Sequence, residues 1–77
     1  MQPPRPGLMK TYDSDAVWQA GYDAGSAVFY VRFSEGDLYG YRDVPPEVVQ
    51  AFEAAPSKGR AFNETVYGIY PYEKIEE

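Results

Sequence analysis

Residues 27 to 42 read Ala27-Val28-Phe29-Tyr30-Val31-Arg32-Phe33-Ser34-Glu35-Gly36-Asp37-Leu38-Tyr39-Gly40-Tyr41-Arg42, and their spacing decides the fold. Phe29, Val31 and Phe33 alternate with Val28, Tyr30 and Arg32, the period of two with which a strand sends one row of side chains to each face. Ser34-Glu35-Gly36-Asp37 supplies turn chemistry, and the tyrosine-rich run from Leu38 to Arg42 is the right length for a returning strand. Upstream, a strand-like pattern from Ala16 through Tyr22 leads into a second turn, Asp23-Ala24-Gly25-Ser26. The segment is an antiparallel meander.

Downstream, Val44-Pro45-Pro46-Glu47 starts a helix, because proline is tolerated in a first turn whose N–H groups have no intrahelical partner. On a helical wheel Val48, Val49, Phe52 and Ala55 share one side, with Glu47, Gln50 and Glu53 opposite. Pro56 ends this helix and Ser57 is placed to cap a second, from Lys58 to Tyr67, whose apolar side carries Ala61, Phe62, Thr65, Val66 and Ile69. Tyr70 to Ile75 reads as a final extended segment. Upstream of the meander, Pro3, Pro4, Pro6 and Gly7 fall in a stretch with little apolar periodicity, which predicts a flexible arm over residues 1–13 before a single domain over 14–77. The fold class is α+β, a small antiparallel meander of three to four strands packed against two short helices. Its expected core is Phe29, Val31, Phe33, Val48, Phe52, Phe62 and Val66.

Composition narrows the chemistry. A chain of 77 residues buries only about 60% of its unfolded surface. With no cysteine and no histidine, it has neither a disulfide framework nor the commonest metal ligand and general base. Asp13, Asp15, Asp23, Glu35 and Asp37 are the carboxylates that could serve a metal or acid–base site, but they sit where turns prefer such residues, with no calcium-loop spacing, no phosphate-binding glycine loop and no nucleophile beside a base. The expectation is a non-catalytic protein with no cofactor and no metal. Twelve acidic against seven basic residues, a net charge of −5, argue against broad nonspecific DNA binding. No apolar run approaches a membrane span and no signal peptide is evident, so a cytoplasmic protein is expected.

Several short motifs occur in order: Tyr22-Asp23, Tyr39-Gly40-Tyr41, Val44-Pro45, Ser57-Lys58-Gly59-Arg60, Phe62-Asn63 and Tyr70-Pro71-Tyr72. Over residues 14–75 the chain resembles the KTSC domain, a family named for its occurrence at the C-terminus of some lysyl-tRNA synthetases and found also as stand-alone small bacterial proteins. The resemblance implies RNA binding as the suggested activity. Ala61 departs from the pattern, which has an aromatic residue before Phe62-Asn63.

Two surfaces are candidates for binding. The first is the start of the second helix, where Ser57, Lys58, Gly59 and Arg60, with Asn63 one turn on, combine backbone donors with two cations in a plausible phosphate or carboxylate cradle. A capped helix start with two solvated charges is the plain alternative. The second is aromatic: Trp18, Tyr30, Tyr39, Tyr41, Tyr70 and Tyr72 could stack on bases or form a protein-binding hot spot. Alternation favours Tyr39 and Tyr41 facing inward and makes Tyr30 the better choice for an exposed ring. The expected partner is RNA or a protein, the latter held by an aromatic patch or a sheet edge.

Overall fold

The computed structural model describes residues 1–76. In chain order the elements are β1 (Lys10–Thr11), β2 (Val17–Asp23), β3 (Val28–Phe33), β4 (Leu38–Tyr41), α1 (Pro46–Ala54), α2 (Lys58–Thr65) and β5 (Tyr72–Ile75). The strands form one antiparallel sheet in the order β1-β2-β3-β4-β5, so the meander has five strands and not three or four. The two central hairpins are those read from the alternation. Asp23 closes the first by accepting the Gly25 N–H on its side chain at 3.1 Å, and Phe33 and Asp37 pair across the second at 3.0 Å.

The register places Phe29, Val31 and Phe33 on one face with Tyr39, Tyr41, Ala20 and Tyr22. That face takes the helices. The Tyr22 hydroxyl donates to the Val44 carbonyl at 2.6 Å and the Val44 N–H donates to Ala27 at 3.0 Å, which fixes where α1 begins. α1 buries Val49 and Phe52, and α2 buries Phe62, with Val66 fully enclosed at its end. Val48 and Phe33, both expected in the core, are only partly buried against it. Ile69 departs from the wheel that placed it on the apolar side of α2. The helix stops at Thr65, so Ile69 lies in the following turn and is 59% exposed.

The opposite face is also covered, and this corrects the expectation of an exposed Tyr30 ring. Val28, Tyr30, Leu38 and Ile75 form a second apolar cluster against which Leu8 and Met9 pack. The segment expected as a flexible arm lies along the domain: Lys10 and Thr11 pair with Ala20 and Gln19, and the Tyr12 ring packs edge-on against Phe52. The radius of gyration, 11.1 Å, is no larger than the roughly 11.5 Å of a compact chain this long. Tyr30, expected as the exposed ring, is 5% exposed because that arm roofs it.

Phe52 links these layers. It is 0% exposed and meets Phe29 at 5.2 Å and Tyr12 at 5.7 Å between ring centres, both edge-on. Phe52→Ala should cost about 3–5 kcal/mol in denaturant unfolding, a large share of the stability of a small domain. A variant with an unchanged midpoint would contradict this packing.

Candidate binding cleft

α1 and α2 do not cover the whole helix-bearing face. Tyr41 stands opposite Tyr72, and Tyr39 opposite Val31, so β4 and β5 carry tyrosines onto the same face beside α2. Phe62 of α2 packs against Phe33 and Tyr41, each at 5.2 Å between ring centres, and Tyr67 follows at 6.3 Å from Phe62. Tyr72 lies 5.8 Å from Tyr39 and 5.4 Å from Tyr41. These rings, with Glu35 and Asn63, line a cleft of about 270 Å³. Its floor is buried, with Tyr41 and Phe62 each 3% exposed, and its rim is open, with Tyr67 at 62% and Tyr72 at 55%. Among the described residues that line it, none is lysine or arginine.

Tyr39, Tyr41, Tyr72 and Asn63, all singled out from the sequence, therefore come together. Phe33 and Phe62 had been assigned to the core and Glu35 to a turn. Tyr67 had not been singled out, although it stands four residues after Asn63, the spacing that puts two side chains on one helical face. Trp18 and Tyr30 lie elsewhere. Trp18 is 46% exposed, with the Arg32 guanidinium 5.7 Å from its ring, and Tyr30 is under the arm. Tyr70 packs partly buried against the main core.

The helix-start candidate is assembled differently from the cradle that its sequence suggests. Ser57 caps α2, its hydroxyl accepting the Arg60 N–H at 3.3 Å. Lys58 turns back to the preceding helix, where its ammonium donates to the Glu53 and Ala55 carbonyls at 3.0 and 2.6 Å and lies 5.5 Å from the Tyr12 ring. A cation at a helix C-terminus satisfies orphan carbonyls and complements the dipole. Arg60 lies 3.5 Å from Glu64 on the exposed surface. Gly59 has a packing reason, since a Cβ there would stand 2.9 Å from the Ala16 methyl. The depression beside these residues is lined by Asp13 and Asp15, which supply negative charge where an anion would sit. Asn63 faces the aromatic cleft.

Of the turn carboxylates, Asp37 pairs with Lys74 at 3.6 Å, and among the described residues no group of three or more potential ligands could hold a metal ion. A larger recess, about 390 Å³, lies between β2 and α1, but Lys10 and Glu53, both part of its lining, are joined by an ion pair at 2.9 Å.

Burial pushes the Tyr41 hydroxyl up to about 12, helped by the neighbouring Tyr72, Tyr39 and Tyr67. Tyr30 and Tyr12 are raised in the same direction, mainly by burial. A tyrosine whose folded pKa exceeds its unfolded value keeps its proton longer in the fold. Stability is therefore full below about pH 10 and falls as pH rises through 12, where the unfolded chain has released protons that the fold still holds. Denaturant unfolding at about pH 9 and pH 11 should show this loss, with Tyr41→Phe flattening it; equal stability at both would contradict the burial. Lys58→Ala should cost about 1 kcal/mol by uncapping α1, and phosphate titration should leave the amide signals of residues 57–63 in place. Shifts there at millimolar phosphate would restore the anion cradle.

The sequence model of the KTSC domain matches residues 13–70. An uncharacterized protein from Stutzerimonas stutzeri is 49% identical over 51 residues, covering 66% of this chain and 72% of the relative. A lysine–tRNA ligase from Nostoc punctiforme is 30% identical over 63 residues, which is 82% of this chain but 11% of the ligase. The crystal structure of a KTSC domain protein from Yersinia pestis superimposes with a TM-score of 0.83 at 30% identity, over 88% of this chain and 96% of that one. The arrangement of sheet and helices and the matched sequence agree: this chain belongs to the KTSC domain family.

Proposed function

We propose that the domain is a non-catalytic binding module that takes a segment of a partner protein in the aromatic cleft. The observation that carries this reading is the convergence of Tyr39, Tyr41, Tyr67 and Tyr72 with Phe33 and Phe62 in an open cleft whose lining includes Glu35 and no described cation. Tyrosine rings offer large contact area at low entropic cost, and they dominate protein-binding hot spots. RNA would also stack on such rings, and kinship with part of a tRNA ligase favours it. Phosphate contacts, however, supply most nucleic-acid affinity. Here Lys58 is held on α1, Arg60 lies beside Glu64 and Lys74 beside Asp37, in a chain of net charge −5. A protein partner tolerates that charge. The proposal sets the domain in the cytoplasm, as the ligase relative suggests; no helix among the described residues is long and apolar enough to cross a membrane.

Tyr72→Ala tests the cleft, because an exposed ring can be removed with little cost to the fold. Proteins captured by the immobilised domain from cell lysate should survive nuclease treatment and fall about tenfold with Tyr72→Ala, the effect of losing one hot-spot side chain. Capture that disappears with nuclease and depends steeply on salt would favour the RNA reading. Capture indifferent to Tyr72→Ala would remove the cleft from either.

A further inference from the structure

Two polar groups in the lining of the aromatic cleft are left without partners by the fold. Glu35 stands on the turn between β3 and β4, which is held by the Phe33 N–H on the Asp37 carbonyl at 3.0 Å, the Gly36 N–H on the Phe33 carbonyl at 2.9 Å and the Arg32 Nη1 on the Gly36 carbonyl at 2.8 Å. Glu53, Glu64, Asp37 and Glu73 each meet a cation of the chain. The exposed Glu35 carboxylate, by contrast, has neither an ion pair nor a hydrogen bond among the described residues, and the same holds for the side-chain amide of Asn63. Both are therefore open to a donor that comes from outside.

The rings around them are set at steep angles. Tyr39 meets Phe33 at 64° and Tyr72 at 71°, and Tyr41 meets Phe62 at 74°. A flat guest can lie along only one ring of such a set, whereas a compact cation is attracted by every ring face within about 6 Å. A carboxylate beside the rings adds charge complementarity, in a cleft whose described lining holds no lysine or arginine and a chain whose net charge is −5. Of the two basic side chains, arginine matches this set of groups better. Its guanidinium is weakly hydrated, stacks on aromatic faces and presents a fork of donors to a carboxylate, whereas an ammonium is a strongly hydrated point charge. The volume of about 270 Å³ lies below the roughly 300–1,000 Å³ of sites that enclose a whole small molecule, and it suits one side chain of a longer partner.

We propose that the cleft selects an arginine side chain of the partner segment, its guanidinium held among the rings of Tyr39, Tyr67 and Tyr72 with Glu35 and Asn63 accepting its N–H groups. This rests on the reading of the cleft as a protein-binding site and names the residue that the site reads.

The probe is a capped pentapeptide with one central arginine among glycines, titrated into the full chain beside the same peptide with citrulline, lysine or leucine at its centre. Asn63 side-chain amide signals and the ring signals of Tyr67 and Tyr72 are the readout. Citrulline keeps the shape of arginine and loses its charge, so at equal concentration the arginine peptide should give shifts about tenfold larger. Glu35→Gln, a change on an exposed turn, should reduce the arginine response about threefold and leave the leucine response as it is. Tyr72→Ala should reduce it as well. No cleft shift with the arginine peptide, equal shifts with citrulline or lysine, an arginine response unchanged by Glu35→Gln, or shifts gathered at Asp13 and Asp15 would each overturn the arginine assignment. None of these touches the cleft as a protein-binding site, which fails only if capture from lysate ignores Tyr72→Ala.

Discussion

β3 is apolar on both faces, with Phe29 and Val31 toward one side and Val28 and Tyr30 toward the other, all 8% exposed or less. A strand of that kind has to be covered twice. The chain has no cysteine for a disulfide, and among its described residues it covers one face with two helices of nine and eight residues, α1 and α2, and the other with its amino-terminal arm. The aromatic cleft is one consequence, lying where the helices end before β5, and the close approach of the arm at Gly21, Tyr30 and Gly40 is the other.

The elements legible in the sequence are those whose pattern is local. Alternation in β3 and the turn at Ser34 to Asp37 specify the central hairpin, and Pro46 and Ser57 mark both helix starts within a residue. β1 was not legible because Lys10 and Thr11 carry no apolar pattern; they pair with β2 only because its outer edge is otherwise open. The packing of the arm was not legible for a related reason: Pro3, Pro4, Pro6 and Gly7 argue against regular structure, and nothing local shows that Leu8 and Met9 pack against Val28, Tyr30, Leu38 and Ile75. Tyr30 was then assigned to solvent because nothing local announced a cover for its face.

Part of the cleft was legible too. Alternation correctly grouped Tyr39 with Tyr41 on the inward side, and Tyr72 joined them once β5 was paired to β4. Phe33 and Phe62 could be recognised as part of the cleft lining only after α2 was seated. At the helix start, the dipole that the Lys58 ammonium complements is that of α1. Lys58 is the first residue of α2 but lies only a few residues beyond the last carbonyls of α1, and the Glu53 and Ala55 oxygens accept from its ammonium. Two cations close in sequence are thus drawn to different partners, Lys58 to α1 and Arg60 to Glu64, whereas register and helix seating bring the rings together in one cleft.

The account rests on which tyrosines are covered and by what, and selective nitration of the native protein followed by peptide mass mapping tests that most directly. Tyr67 and Tyr72, at the rim, should react first, while Tyr41 under α2 and Tyr30 under the arm should resist until the protein unfolds. Nitration of Tyr30 as fast as Tyr72 in the folded protein would mean that the arm does not cover the sheet. Protection of Tyr72 in the isolated protein would mean that the cleft is not open.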